Sequence, residues 1–226
     1  MSITSSSFEL YKRNLNIITP ILIGTLISTF LLLTWNSTFV PYALRLIGRP
    51  RIMTSPLIFL MVRLIVLLFS PMLIVTNVIL TIMEGVTALV SKDIIERREA
   101  DISKAFRDIK SSIVSLIIVA IIVEIIEIIL TLIPFIGGPL SSLIRTLFSA
   151  APVLIVINDL KPLDSLIKSY EKITKLWEEE GIAVVIIFVI FLLATIFKGY
   201  IGFILLTLGL PYIILMLTCY IKTKVV

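Results

Sequence analysis

Two glutamates and an arginine stand out because each lies in an apolar run of the sequence. Glu124 and Glu127 lie within residues 113–133, and Arg145 lies within the next run, residues 140–157. A spacing of three residues places both carboxylates on one face of a helix. Charged groups in an apolar medium pair with one another, or their carboxylates carry protons. The pattern therefore indicates either an architectural ion pair or a path for a solute, an ion or a proton.

The composition shows what surrounds these charges. The chain has 226 residues, of which 58% are apolar and 15% charged, and its mean hydropathy is +1.13. A soluble domain carries roughly a quarter of its residues as charged side chains. We therefore expect the chain to be solvated by lipid. The same composition excludes a disordered chain, a collagen-like repeat and a disulfide scaffold.

The apolar runs predict six membrane-spanning helices. A bilayer core about 30 Å thick needs about 20 mostly apolar residues per helix. The last apolar block, residues 181–221, is about twice that length, so it must fold back near Lys198. The six spans are predicted near residues 17–35, 64–83, 113–133, 140–157, 181–197 and 200–220. A seven-helix alternative divides residues 52–90 at Pro71. The prediction is an all-α transmembrane bundle that forms one integral membrane domain over residues 1–226.

Basic residues in the connecting segments predict how the bundle is oriented. With the N-terminus inside, 14 Lys and Arg residues fall in inner segments and 4 in outer segments. Short loops rich in Lys and Arg stay on the cytoplasmic side. The seven-helix alternative would place the six basic residues of 92–110 outside. We therefore expect a multi-pass protein of the cell membrane with both termini in the cytoplasm.

The predicted topology indicates which interior charges face one another. A short turn, residues 134–139, joins two antiparallel spans, so residues equidistant from the turn lie at equal depth. Glu127 and Arg145 are each about nine residues from its midpoint, which predicts an ion pair between them. Glu124 is expected either to be protonated or to share Arg145. Arg63 joins this cluster if the second span is set deep, or else extends to the outer surface.

Other catalytic and metal-binding patterns are missing from the sequence. It contains no histidine and one cysteine, Cys219, inside an apolar run. A zinc cluster or an internal disulfide therefore cannot form. There is also no Gly-x-Ser-x-Gly elbow, no phosphate-binding loop and no pair of aspartates within the spans. We expect no enzymatic activity, no metal and no cofactor, and no feature indicates nucleic acid.

Two inner connections have the pattern of amphipathic helices. Near residues 160–178, apolar residues recur at the spacing of one helical stripe. This stripe consists of Leu163, Leu166, Ile167, Tyr170, Ile173, Leu176 and Trp177. Lysines flank the stripe, so the helix is expected to lie flat on the inner leaflet. A second helix is expected near residues 92–110. Such helices either cover the inner ends of the spans or form a docking face for a cytoplasmic partner or anionic lipid.

The order of these parts resembles a known family. The segments that carry the resemblance are residues 100–106 after the second span, the broken hairpin at 133–137, the run 147–159 and the helix start at 166–169. They resemble the membrane domain attached to some bacterial glycerophosphodiester phosphodiesterases, and its stand-alone six-span relatives in archaea and bacteria. The resemblance covers about residues 75–197.

This resemblance implies a six-helix bundle but no activity. In the two-part proteins of that family, the phosphodiesterase chemistry belongs to a separate soluble barrel with clustered carboxylates and histidine. The chain contains nothing similar to that barrel. Neither the enzymatic activity nor a substrate is therefore carried over.

Two classes of function remain. The sequence favours a non-enzymatic multi-pass protein that organises the membrane or assists assembly of a complex, in contact with the lipid bilayer, a membrane-protein partner or a second copy. The alternative is a small transporter or channel lined by the charges at 124, 127, 145 and 63. Transport predicts a polar cavity that reaches both leaflets, whereas assembly predicts a closed core and an open apolar stripe. The absence of Gln and His, with abundant Ile, suits a heat-adapted organism.

Overall fold

Helices make up the fold because a backbone in lipid must satisfy its N–H and C=O groups internally. The computed structural model describes residues 2–47, 55–97, 101–131, 133, 135–197 and 200–223. It is 93% helical, without a strand among these residues. The α-helices of the described chain are α1 (Ile3–Arg13), α2 (Ile18–Ile47), α3 (Ser55–Arg97), α4 (Ile102–Asp108), α5 (Ile113–Thr131), α6 (Gly137–Phe148), α7 (Ala151–Asn158), α8 (Pro162–Ile196) and α9 (Tyr200–Thr223).

Six segments of the described chain are long and apolar enough to cross a membrane. They are Leu15–Trp35, Pro71–Glu96, Ile113–Thr131, Gly137–Asn158, Pro162–Ile196 and Ile201–Thr223. The predicted all-α bundle is therefore confirmed. Pro71, where the seven-helix alternative divides the chain, lies inside α3, which is helical on both sides of it.

The predicted second span, near 64–83, lies within α3, which is 43 residues long. Within the part of α3 whose side chains the structure describes, Pro71–Glu96 is apolar enough to cross a membrane. Glu84 lies inside this part, one residue past the predicted end of the span. Arg63 belongs to α3, but its side chain lies outside the described residues. Its predicted place in the charge cluster stays a prediction.

The prediction of one amphipathic helix near 92–110 is wrong. The helix α3 continues to Arg97, and a separate short helix, α4, begins at Ile102. Asp101 caps α4, because its carboxylate accepts a hydrogen bond of 2.8 Å from the backbone N–H of Lys104. The ammonium group of Lys104 also lies 3.3 Å from the carboxylate of Asp93. The cap starts a new helix, and the ion pair fastens it to the end of α3.

A kink divides α8 into two halves. Glu180 has non-helical backbone angles, φ −141° and ψ 69°, so residues 162–179 form the first half and residues 181–196 the second. The carboxylate of Glu180 accepts hydrogen bonds from the backbone N–H groups of Ile3 and Thr4, at 2.7 and 3.4 Å. An acidic group at a helix N-terminus stabilises the exposed N–H groups there. Glu180 therefore fastens α1 to the kink of α8.

The first half of α8 presents two apolar faces rather than the single predicted stripe. The face packed against the bundle consists of Leu166, Ile173 and Leu176. The other face, which we name the exposed face of α8, consists of Leu163, Ile167, Tyr170 and Trp177. The seven residues of the predicted stripe are therefore divided, with three packed on the bundle and four exposed. Helical spacing cannot separate the two faces, because the protein interior and the lipid are equally apolar.

A break within the fourth span separates α6 from α7. Pro152 favours the break because it has no N–H to continue the helix. Ser169 of α8 bridges it, since its hydroxyl donates to the carbonyl of Leu147 at 2.8 Å and accepts from the N–H of Ala150 at 3.2 Å. Ser169 is fully buried. One side chain thus replaces hydrogen bonds that a continuous helix would make.

We predict that Ser169→Ala lowers the free energy of unfolding by about 1–3 kcal/mol, because it leaves two buried backbone groups without partners. Ser165→Ala is a matched control: Ser165 is equally buried one turn earlier, but its hydroxyl donates only to the carbonyl of Pro162. Its loss should stay below about 1 kcal/mol. Reversible unfolding in mixed micelles measures both variants, and equal losses would contradict the bridging role of Ser169.

Candidate functional site

Polar groups of three helices meet at Arg145 in the bundle interior. Its Nε atom donates to Oε1 of Glu127 at 2.8 Å, and its Nη2 atom donates to Oδ1 of Asn77 at 2.8 Å. The Nη2 atom also lies 3.7 Å from Oε2 of Glu124. These contacts join α3, α5 and α6. The predicted Glu127–Arg145 pair is confirmed, and Glu124 shares the same guanidinium group.

Neighbouring groups hold the partners of this guanidinium group in place. The hydroxyl of Ser141 donates to Oε2 of Glu127 at 3.2 Å. The Nδ2 atom of Asn77 donates to the carbonyl of Ala120 at 3.1 Å. The ring of Phe191 lies 5.9 Å from the guanidinium carbon. Both oxygens of Glu127 and both ends of the Asn77 amide therefore have a partner.

Two further polar residues of α3 lie in the same region, although the sequence pattern did not single them out. Thr81 and Glu84 line a cavity together with Asn77 and Arg145. Spacings of four and three residues place Asn77, Thr81 and Glu84 on one face of α3. This spacing is the sequence pattern from which a polar face of α3 could have been predicted.

The cavity is small and its surroundings are acidic. Its volume is about 30 Å³, which is room for one or two water molecules. Glu84 lies close enough to Arg145 and Glu127 to interact with both electrostatically. It makes no hydrogen bond or ion pair with any residue that the structure describes. With Glu124, three carboxylates face one guanidinium group, which leaves two negative charges when all are ionised.

The exposed face of α8 takes no part in the cavity. The described lining comes from α3, α5, α6, α7, α9 and the second half of α8, in which Phe191 lies. The candidate residues from the sequence therefore separate into an interior polar cluster and a peripheral apolar face. Within the described ranges, no group of three or more His, Cys, Asp or Glu side chains is arranged to hold a metal ion.

The fold and the site define a multi-pass helical bundle with a polar cluster in its interior. No protein-family model matches the chain, and neither a curated protein nor a solved structure is significantly similar to it. The resemblance to the membrane domain attached to some glycerophosphodiester phosphodiesterases therefore stays a prediction that depends on its short motifs alone.

We predict that Arg145→Met lowers the free energy of unfolding by about 3–5 kcal/mol, because it leaves Glu124 and Glu127 buried without a counter-charge. Lys222→Met is the control, since it removes an ion pair with Glu96 in which both side chains are partly exposed. That loss should stay within about 1 kcal/mol. Unfolding in micelles compares the two variants.

The contribution of charge is separated from that of packing by adding Glu124→Gln and Glu127→Gln to Arg145→Met. Neutral amides remove the unpaired charges, so the triple variant should recover much of the loss. A triple variant as unstable as Arg145→Met alone would contradict the electrostatic explanation. It would also be contradicted if Arg145→Met were no less stable than Lys222→Met.

Proposed function

We propose that the chain is a non-enzymatic multi-pass protein of the cell membrane that organises the membrane or assists the assembly of a complex. The observation that carries this proposal is the exposed face of α8. Each of its four residues keeps more than half of its surface exposed, while the neighbouring face of the same helix is packed in the core. A Tyr and a Trp in one patch suit a contact surface, because these residues are enriched at interfaces.

The charges around the exposed face support a protein contact more than an anionic-lipid anchor. Acidic residues match the basic ones along the first half of α8, which holds Asp164, Lys168, Glu171, Lys172, Lys175, Glu178 and Glu179. A lipid switch needs a cluster of basic residues without this compensation. A mixed polar border around an apolar centre is instead the arrangement of a protein interface. The occupant we propose is therefore a helix of another membrane protein or of a second copy.

The interior cluster supports an architectural role. Arg145, on α6, binds groups on two other helices at once, so moving it would disconnect α3, α5 and α6. The cavity beside it holds about 30 Å³, whereas ligand pockets have volumes of roughly 300–1,000 Å³. The cluster is therefore better suited to holding the helices together than to passing a solute through the bundle.

One observation favours a second candidate, a small transporter or channel. Glu84 lies within a span without a hydrogen-bonding partner among the described residues, and it adds to an acidic excess around Arg145. Carboxylates in such positions commonly carry protons or line ion pathways. We rank this candidate second because the bonds of Arg145 account for the other members of the cluster.

A photo-crosslinking amino acid at Ile167 tests the assembly proposal in native membranes. We expect an adduct with another protein or a second copy, which copurifies in mild detergent. The same crosslinker at Lys168, exposed on the polar side of that helix, is the control and should give none. The double variant Ile167→Gln and Trp177→Gln should abolish the adduct that a crosslinker at Leu163 forms. Because both positions are exposed, the free energy of unfolding should change by no more than about 0.5 kcal/mol. Adducts with lipid alone would contradict the proposal.

The proposed orientation is tested with single cysteines in a Cys219→Ser background. Phe135, fully exposed between α5 and α6, is expected outside. Phe135→Cys should react with an impermeant maleimide in intact cells. Ser5→Cys and Thr223→Cys, at exposed positions near the termini, should react only after permeabilisation, because the basic connections hold those ends inside. Labelling of either terminal position in intact cells would contradict the orientation.

A further inference from the structure

Thr81 lines the cavity with a hydroxyl that makes no hydrogen bond to any described residue. The residue is only 5% exposed. Other buried threonines behave differently. Thr87 donates to the carbonyl of Met83 at 2.7 Å, and Thr146 to that of Ser142 at 2.8 Å. A hydroxyl of a residue that is almost fully buried usually has a partner, so Thr81 points to a group bound in the cavity that it lines.

Other oxygen-bearing side chains line the cavity with Thr81. Glu84 lies about one turn further along α3, and Ser149, whose hydroxyl donates to the carbonyl of Thr146 at 2.7 Å, lies at the break between α6 and α7. Pro152 has no N–H, so it cannot supply the intrahelical bond to the carbonyl of Phe148. Broken helices of this kind, with freed carbonyls and a carboxylate nearby, are where membrane proteins hold sodium ions or protons.

The charges that face Glu84 favour a positive ligand. Arg145 faces it from α6, and Glu124 and Glu127 face the same region from α5. The described lining from α7, α8 and α9 is uncharged. The neighbouring helix α2 is uncharged over residues 18–44. Because Arg145 is already bound to Glu127 and shared with Glu124, Glu84 is the carboxylate that remains to be neutralised.

We propose that this cavity binds one small monovalent cation, sodium or hydronium, between Thr81, Glu84 and Ser149. Oxygen atoms bind both sodium and hydronium. A cavity of about 30 Å³ admits one such ion with about one water molecule. One carboxylate among neutral oxygens matches a single positive charge. The site holds α3 against the α6–α7 break, and it is independent of the function of the exposed face of α8.

The test measures ion binding to the purified full chain in micelles. Thermal unfolding is recorded over a sodium chloride series, with choline chloride holding the ionic strength constant at fixed pH. A ligand of the folded state raises the unfolding midpoint. A rise with sodium identifies sodium as the ligand. Hydronium is identified if the unfolding midpoint of the wild type does not change with sodium but rises as the pH is lowered, and that of Glu84→Gln does not rise.

Variants locate the site. Thr81→Val keeps the shape and removes the hydroxyl, so it should weaken binding of the identified ion by about tenfold. Glu84→Gln should abolish the response. Thr87→Val is the matched control, because Thr87 is buried on the same helix and does not line the described cavity. It should keep the wild-type response.

Two outcomes would overturn the site. One is a wild-type protein whose unfolding midpoint responds to neither ion. The other is a response that persists unchanged in both Thr81→Val and Glu84→Gln. If Thr81→Val does not fold, Glu84→Gln is compared with the wild type by equilibrium binding of radioactive sodium and by proton uptake. These measurements decide the question, because a neutral amide of the same shape removes only the charge.

Discussion

The bundle depends on one guanidinium group that has been taken out of water. A charged side chain at the centre of a membrane-spanning helix costs about 2.5–3.5 kcal/mol on the insertion scale. Arg145 is tolerated because Glu127, Glu124 and Asn77 bind it from two other helices. Those carboxylates in turn require Arg145. The requirement to satisfy these groups mutually fixes the depth of α3, α5 and α6 relative to one another, which apolar packing against lipid alone would leave free.

The Glu127–Arg145 contact was predictable because it is local. Two spans joined by a short turn must lie antiparallel, and counting from the turn then gives the depth of every residue. Asn77 and Glu84 belong to a helix that precedes this hairpin, so no count along the sequence gives their register. Their positions beside Arg145 depend on the packing of α3 against the hairpin.

For the apolar helices, the sequence predicts that they exist but not which of their faces is buried. Their existence and number follow from composition, because only apolar helices of sufficient length can satisfy their backbones in lipid. Which face meets protein does not follow, since Leu166 and Ile167 are equally apolar although one is buried and the other exposed. The bridge from Ser169 to the α6–α7 break is equally hidden. It depends on a neighbour brought there by the turn after α7, and serine at that position resembles any small residue of a helix.

The helix α8 connects the two candidate sites physically. Its second half supplies Phe191 to the polar cluster, and its first half carries the exposed face. In the same first half, Ser169 holds the α6–α7 break, beside which Ser149 lines the cavity. A partner seated on the exposed face would therefore pack against the same half-helix that closes the break. Because Glu180 fastens the kink of α8 to α1, that half-helix is restrained at both of its ends, by the short turn after α7 and by the start of the chain.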